Sequence, residues 1–267
     1  MSSSRQTVLV YLVIGLIIGF GIGFFTPGLI QPGEVNLVPS IQARGTLIVG
    51  TEAGYPPFEM YNTTTAEYYG FDIDIAQLIA DELGVDLVIQ DMPFDSLIAA
   101  CKAGNVDMLA AAMDLSAERA RELAFSDPYL QTNQVMVVNG SSTLEIDELA
   151  DLAGYEVGAQ TGTVQAADIQ AAIDAGAAIV LSTYASVAQM FIDLDSGGLD
   201  AVFVDEPVYE VYAELYTLRT IYTVRAAPMV LYCRYENPDL LAVINDVLGD
   251  AFADGTMANL VDTWFGG

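Results

Sequence analysis

The chain has 267 residues, 53% of them hydrophobic, enough to bury one large core or two modest ones. Against 8 lysines and arginines stand 36 aspartates and glutamates, a net charge of −28 that repels nucleic-acid phosphates and excludes nucleic acid as a partner. Histidine is absent, which removes the commonest general base and metal ligand and excludes Ser/His/Asp and Cys/His catalysis.

Acidity of this kind reads first as a solubility or salt adaptation of the whole surface, with steering of cationic ligands second. From the amino terminus, Val8 to Phe25 form an unbroken run of apolar residues and glycines, at the lower limit of about 18 residues for a membrane-spanning helix. Arg5 precedes the run and no further charge appears until Glu34, which places the amino terminus in the cytoplasm and the rest outside. No A-x-A site follows and no cysteine stands near the end of the run to carry a lipid. Residues 1–30 are therefore read as an uncleaved membrane anchor, the alternative being a cleaved signal peptide. Gly15, Gly19 and Gly23 recur at a spacing that lets two helices approach closely, although glycine is common in membrane helices anyway. Residues 31–40, with Pro32, Gly33 and Pro39, read as a linker.

Beyond the linker, short apolar runs alternate with helical periodicity: TLIVG, FDIDIAQLIADELG, VDLVIQ, FDSLIAACKAG, VDMLAAAM. This β-α-β-α-β order predicts an α/β fold with a mostly parallel sheet. Asp72 is placed to N-cap the first helix and Gly84 to close it. The pattern restarts after residue 150 with YEVGAQTG, a helix over Val164–Asp174, AAIVLS, a helix over Ala185–Asp195, and LDAVFVD, predicting a second lobe. Asp239–Phe265 reads as helical, with an apolar face packing back on the first lobe. Cys101 and Cys233 read as two buried thiols, with a long-range disulfide as the alternative.

Three places carry chemistry. In MDLSAERARELAFSDPY, Ser116 is placed to cap a helix whose third residue is Arg119. A guanidinium in a first turn is unfavourable beside the helix dipole unless an anion comes to sit there, which a ligand carboxylate would do. The alternative is surface pairing with Glu118, Glu122 or Asp127. The loop Gly158–Thr163 offers main-chain N–H groups at another helix start, without the lysine or spacing of a nucleotide P-loop. Asp205 ends the strand LDAVFVD, where a carboxylate can accept a ligand ammonium or cap the helix that begins at Glu206-Pro207.

In order along the chain, GTLIVGTEAGYPPFE, GFDIDIAQLIADELG, FDSLIAACKAGNVD, LSAERARELAFSDPY, VGAQTGT, LDAVFVDEPVYEVY and DGTMANLVDTWF resemble the polar amino-acid substrate-binding proteins of ABC importers, solute-binding protein family 3. The resemblance covers roughly residues 44–267. It implies a type II periplasmic-binding fold, with a discontinuous first lobe near 41–133 plus 229–267 and a second lobe near 134–228, joined by two hinge strands. It also implies that Arg119 grips a ligand α-carboxylate with help from the main chain near Ser116 and Thr163, while Asp205 takes the α-ammonium. Glu52, Tyr55, Phe94 and Asp114 match the positions that set side-chain specificity, Asp114 standing where many members carry serine or threonine. TEAGYPPFE with MDLSAER most resembles the arginine binders, in which aromatic rings sandwich a guanidinium and acids neutralise it.

The implied function is capture of a free L-amino acid, arginine or another cationic one first, outside the cytoplasm, and its delivery to an ABC permease in the membrane. No enzymatic role and no cofactor or metal is expected. The protein is placed at the cell membrane through its amino-terminal helix, or secreted or periplasmic if that segment is cleaved. The competing functions are a dehydratase-like enzyme acting on small carboxylic acids and a ligand-sensing ectodomain.

Overall fold

A computed structural model of the chain describes residues 36–266. The predicted anchor, residues 1–30, lies outside the described residues; among those described, no helix is long and apolar enough to cross a membrane.

Helix α1 (Val38–Arg44) leads into strand β1 (Thr46–Thr51). A hairpin of β2 (Met60–Asn62) and β3 (Glu67–Tyr69) precedes helix α2 (Phe71–Leu83), strand β4 (Asp86–Asp91) and helix α3 (Leu97–Ala103). Then come the short strand β5 (Met108–Leu109), the single-turn helix α4 (Arg119–Glu122) and β6 (Ala124–Phe125). The second half runs β7 (Asn133–Asn139), β8 (Glu156–Gln160), α5 (Val164–Asp174), β9 (Val180–Tyr184), α6 (Val187–Ser196), β10 (Ala201–Asp205), α7 (Glu206–Ala213) and β11 (Leu218–Arg225). Strand β12 (Tyr232–Cys233) and helices α8 (Pro238–Asp254) and α9 (Thr256–Phe265) complete the chain.

These strands form two five-stranded sheets, β4-β1-β5-β12-β6 and β11-β7-β10-β8-β9, one in each lobe of an α/β fold. In each sheet the β-α-β units pair in parallel, β1 with β4 and β5, and β8 with β9 and β10. The other pairs are antiparallel, because β6, β7, β11 and β12 belong to segments that cross between the lobes and not to β-α-β units. The crossing segments lie side by side: Ala226 N–H donates to Thr132 O at 3.3 Å, and the Gln131 side-chain amide donates to Ala226 O at 2.8 Å.

Each lobe buries its own apolar faces. Val49, Ile75, Ile79, Met108 and Ile244 are fully buried around the first sheet, and Val138, Val157, Ile169 and Ala201 around the second. Helices α8 and α9 pack back on α2 of the first lobe, as the apolar face predicts. The partly buried Phe265 seats against the fully buried Phe58 and Phe71, with ring centroids at 5.4 and 4.9 Å.

Several local expectations are refined or corrected. Asp239–Phe265 is two helices, broken where Gly255 takes a left-handed φ of 89°. The linker expected over 31–40 ends early, because α1 starts at Val38 with Pro39 in the first turn, where a missing N–H costs nothing. VDMLAAAM keeps only Met108–Leu109 in the sheet; the residues beyond leave it as a turn in which Ala112 has φ 47°. Asp72 does not cap α2: Gly70 holds the N-cap position, and the Asp72 side chain turns inward. Gly84 closes that helix in the left-handed conformation, φ 69°. Both cysteines are buried free thiols, and burial pushes each up to about 12.

Candidate functional site

The residues around the inter-lobe cleft follow from strand ends. Tyr55 comes after β1, Ala111 to Asp114 after β5, Gln160 to Gln165 after β8, and Asp205 ends β10. In open α/β sheets this carboxyl-end crevice is where side chains and main chain are free to face a ligand. Together they enclose a cavity of about 10 Å³, room for about one water molecule.

Four hydrogen bonds close the cleft directly. Tyr55 Oη donates to Asp205 Oδ2 at 2.5 Å, Gln160 Nε2 to Glu52 Oε2 at 2.9 Å, Gln134 Nε2 to Asp114 Oδ2 at 2.9 Å, and Arg119 Nη2 to Gly162 O at 3.3 Å. Closure at Gly162 depends on glycine: its φ is 82°, and a Cβ there would stand 3.1 Å from Asp95 Cβ of the other lobe.

Asp205 occupies the N-cap position of α7, yet its side chain makes no capping bond. It accepts instead from Tyr55 and, at 3.0 Å, from Gln165 Nε2, and it is 3% exposed. The helix-cap alternative therefore does not describe it. Burial, and next the charge of Asp114, hold its carboxyl well above the usual carboxylate range.

Arg119 is also buried, and among the described residues its guanidinium is in no ion pair, which disposes of the surface-pairing alternative. Its Nη1 donates to Asp114 O at 2.8 Å, and its guanidinium carbon lies 5.3 Å from the Phe94 ring centroid. Ser116 Oγ accepts the Arg119 N–H at 3.2 Å, but Glu118, not Ser116, holds the N-cap position, Arg119 is the first residue of α4 and not the third, and α4 is a single turn. A helix this short carries little macrodipole, so the dipole argument for an anion beside Arg119 falls away, and the burial of an unpaired guanidinium takes its place.

Asp114 has one carboxylate oxygen on Gln134, while Oδ1 is buried without a partner among the described residues. Burial raises its pKa, and Arg119 and Gln134 pull it back. Glu52 stands behind Gln160 and not on the cavity wall; burial, opposed by the Gln160 bond, pushes it up to about 7. Tyr55 lies against Phe58, centroids 5.9 Å apart, with its hydroxyl on Asp205. Phe94 offers a face to Arg119 itself, so a ring sandwich around a ligand group would have to share it. Thr163 caps α5, its Oγ1 accepting from Ala166 N–H at 3.3 Å. The next two N–H groups, Val164 and Gln165, precede the point where intrahelical bonds begin, and both residues line the cavity.

The structure thus brings Tyr55, Phe94, Asp114, Arg119, Thr163 and Asp205 to one cavity and sets Glu52 and Ser116 just behind it. Sequence reasoning missed Gln134, Gln160 and Gln165, whose amides bridge the acids. A glutamine carries no charge to mark it, although Gln160 lay within the quoted loop. Among the described residues no group of His, Cys, Asp or Glu is arranged to hold a metal ion.

Two α/β lobes closing on a cavity lined by a buried cation and buried acids define a two-lobed solute-binding protein. The chain belongs to the bacterial extracellular solute-binding proteins, family 3, whose model matches residues 47–267. It is similar to the ABC transporter arginine-binding protein 1 of Escherichia coli strain K12, 29% identical over 223 residues, 81% of this chain and 89% of that one. It is also similar to the L-cystine-binding protein TcyJ of the same strain, 26% identical over 279 residues, 98% of this chain and 96% of that one. Among solved structures, an ancestral arginine-binding protein bound to arginine superposes with a TM-score of 0.78 at 33% identity, covering 83% of this chain and 99% of that one.

Proposed function

We propose that this protein captures a free L-amino acid outside the cytoplasm, a cationic one such as arginine before others, and delivers it to an ABC importer. The observation that carries the reading is a buried cation and a buried acid, Arg119 and Asp205, at one cavity and contributed by opposite lobes. A zwitterion satisfies both: its carboxylate takes the Arg119 fork with the N–H groups at the start of α5, and its ammonium takes Asp205. Each buried ion then gains a partner that closure alone does not give it.

The acids set the choice of side chain. Asp114 keeps one buried oxygen unpartnered, and Glu52 adds a second carboxyl beside the cavity, an arrangement that suits a ligand with an extra positive charge. The arginine named for two of the similar proteins supports a cationic ligand, and the cystine named for the third, which carries two ammonium groups, fits the same acids.

The proposed lobes are 41–133 plus 229–267 and 134–228, with the two crossing segments as hinge and the residues before α1 as tether. Residues 1–30 anchor the chain to the membrane with the lobes outside. Binding is a population shift towards the closed form, stabilised by a ligand that contacts both lobes. Calorimetry of the purified full chain against L-arginine, L-lysine, L-glutamine and L-cystine tests this; heat from none of them would sink it. A dehydratase-like enzyme on the same fold predicts turnover of a small carboxylic acid instead, visible by mass spectrometry of the incubated ligand.

A further inference from the structure

One buried acid lies outside this cavity and yet reaches its wall. Asp72, fully buried in the first turn of α2, accepts the Ala112 N–H at 2.7 Å and the Tyr129 hydroxyl at 2.8 Å. Ala112 lines the cavity with φ 47°, a left-handed conformation that an alanine disfavours by roughly tenfold on its own. The turn is held by main-chain bonds on either side, Ala110 N–H to Gly50 O at 3.1 Å and Leu115 N–H to Pro228 O at 2.8 Å. Its apex is held by Asp72. Tyr129 in turn lies at the crossing between lobes, where its N–H donates to Met229 O at 3.1 Å.

We infer that Asp72 is a positioning residue: it clamps the Ala112 turn in its left-handed form and ties that turn, through Tyr129, to the crossing segment. The carboxylate replaces the conformational freedom that glycine would supply at 112. It also explains why Asp72 leaves the helix end, where its type usually caps, and goes inward. Burial pushes its carboxyl up to about 6, with the Ala112 and Tyr129 bonds pulling the other way, so at neutral pH it holds the turn as a charged acceptor. Asp114, whose main-chain oxygen accepts from Arg119 Nη1 at 2.8 Å, follows directly from this turn, which is how a residue off the cavity wall sets the cavity's shape.

The inference rests on the amino-acid-binding reading for its affinity arm only. In the full chain without ligand, amide exchange of Ala112 is expected to be slow in the wild type and fast in Asp72→Asn; a fast-exchanging Ala112 in the wild type would overturn the clamp whatever the protein binds. In the affinity arm, Asp72→Asn is expected to weaken L-arginine binding about tenfold, and adding Ala112→Gly to recover most of the loss, because glycine needs no clamp. Tyr129→Phe, which keeps the Ala112 bond, should lose less. Equal losses in Asp72→Asn with and without Ala112→Gly, or a fall in melting temperature with unchanged affinity, would show that Asp72 only fills the core. Failure of the wild type to bind L-arginine would count against the functional reading and leave the exchange arm standing.

Discussion

Tyr55 donates its hydroxyl to Asp205 across the cleft at 2.5 Å, joining the loop after β1 in one lobe to the end of β10 in the other. A hydrogen bond of this kind contributes about 0.5–1.5 kcal/mol. Tyr55→Phe keeps the ring against Phe58 and removes only the donor, so Asp205 retains Gln165 alone. Ligand affinity is expected to fall several-fold, with the melting temperature of the ligand-free protein lowered as well; calorimetry and a thermal melt read the two effects separately.

Arg119→Ala deletes the buried guanidinium that faces the cavity. Losing one partner of a buried charge pair costs about 2–5 kcal/mol, so binding is expected to weaken at least about thirtyfold for every amino acid tested. Arg119→Lys keeps the charge and loses the planar fork, and should recover only part of the loss. Unchanged affinity in Arg119→Ala would remove it from the site.

Asp114→Ser takes away a carboxylate whose Oδ1 has no partner among the described residues. Its expected effect is on selectivity: the ratio of arginine to glutamine affinity falls while glutamine binding itself changes little. A calorimetric titration with both ligands decides this, and an equal loss for the two would move Asp114 from side-chain recognition to the ligand's common end.

Gly162→Ala attacks closure itself. The substitution strains a backbone at φ 82° and sets a Cβ 3.1 Å from Asp95 Cβ in the facing lobe. The strain alone is worth about 1–2 kcal/mol. Affinity is expected to drop about tenfold or more, with scattering showing a larger radius in the presence of ligand than the wild type has.

The raised carboxyl groups give the pH dependence a sign. Glu52 rises from 4.5 to about 7, and Asp205 and Asp114 are raised as well, so the folded state binds more protons than the unfolded one over this range. The Glu52 contribution to ligand-free stability is therefore full below about pH 4.5 and is lost as pH rises through about 7, that of Asp114 being lost earlier, through about 6, and that of Asp205 later, through about 8. A cationic ligand favours the ionised acids, so its affinity should run the other way and increase over the same window. Melts and titrations at pH 5, 6, 7 and 8 would show the opposite slopes, and Glu52→Gln should flatten both.

The legible parts of this molecule were those written in periodicity and charge. Helix α5 and the α/β alternation followed from apolar spacing, Arg119 and Asp205 stood out as charged residues at a helix start and a strand end, and Asp114 was marked by the family resemblance alone. The antiparallel strands β6, β7, β11 and β12 were not legible, because two-residue strands carry no period and β7 reads as a plain apolar run. The left-handed Ala112 could not be read at all, since nothing local to an alanine announces a positive φ. Its cause is a carboxylate on another helix, and Asp72 in the sequence looks like an ordinary cap.

The position of β12 has a bearing on how the chain is made. It lies between β5 and the edge strand β6 of the first sheet, although it is the last strand to be synthesised. Until Tyr232 and Cys233 have emerged, β6 has no neighbour and β5 has one side unpaired. The second sheet, drawn from one continuous stretch between β7 and β11, has no such wait. The lobe that begins first is thus finished last, and any nascent chain ending short of β12 exposes an unpaired apolar edge to whatever chaperone or protease meets it.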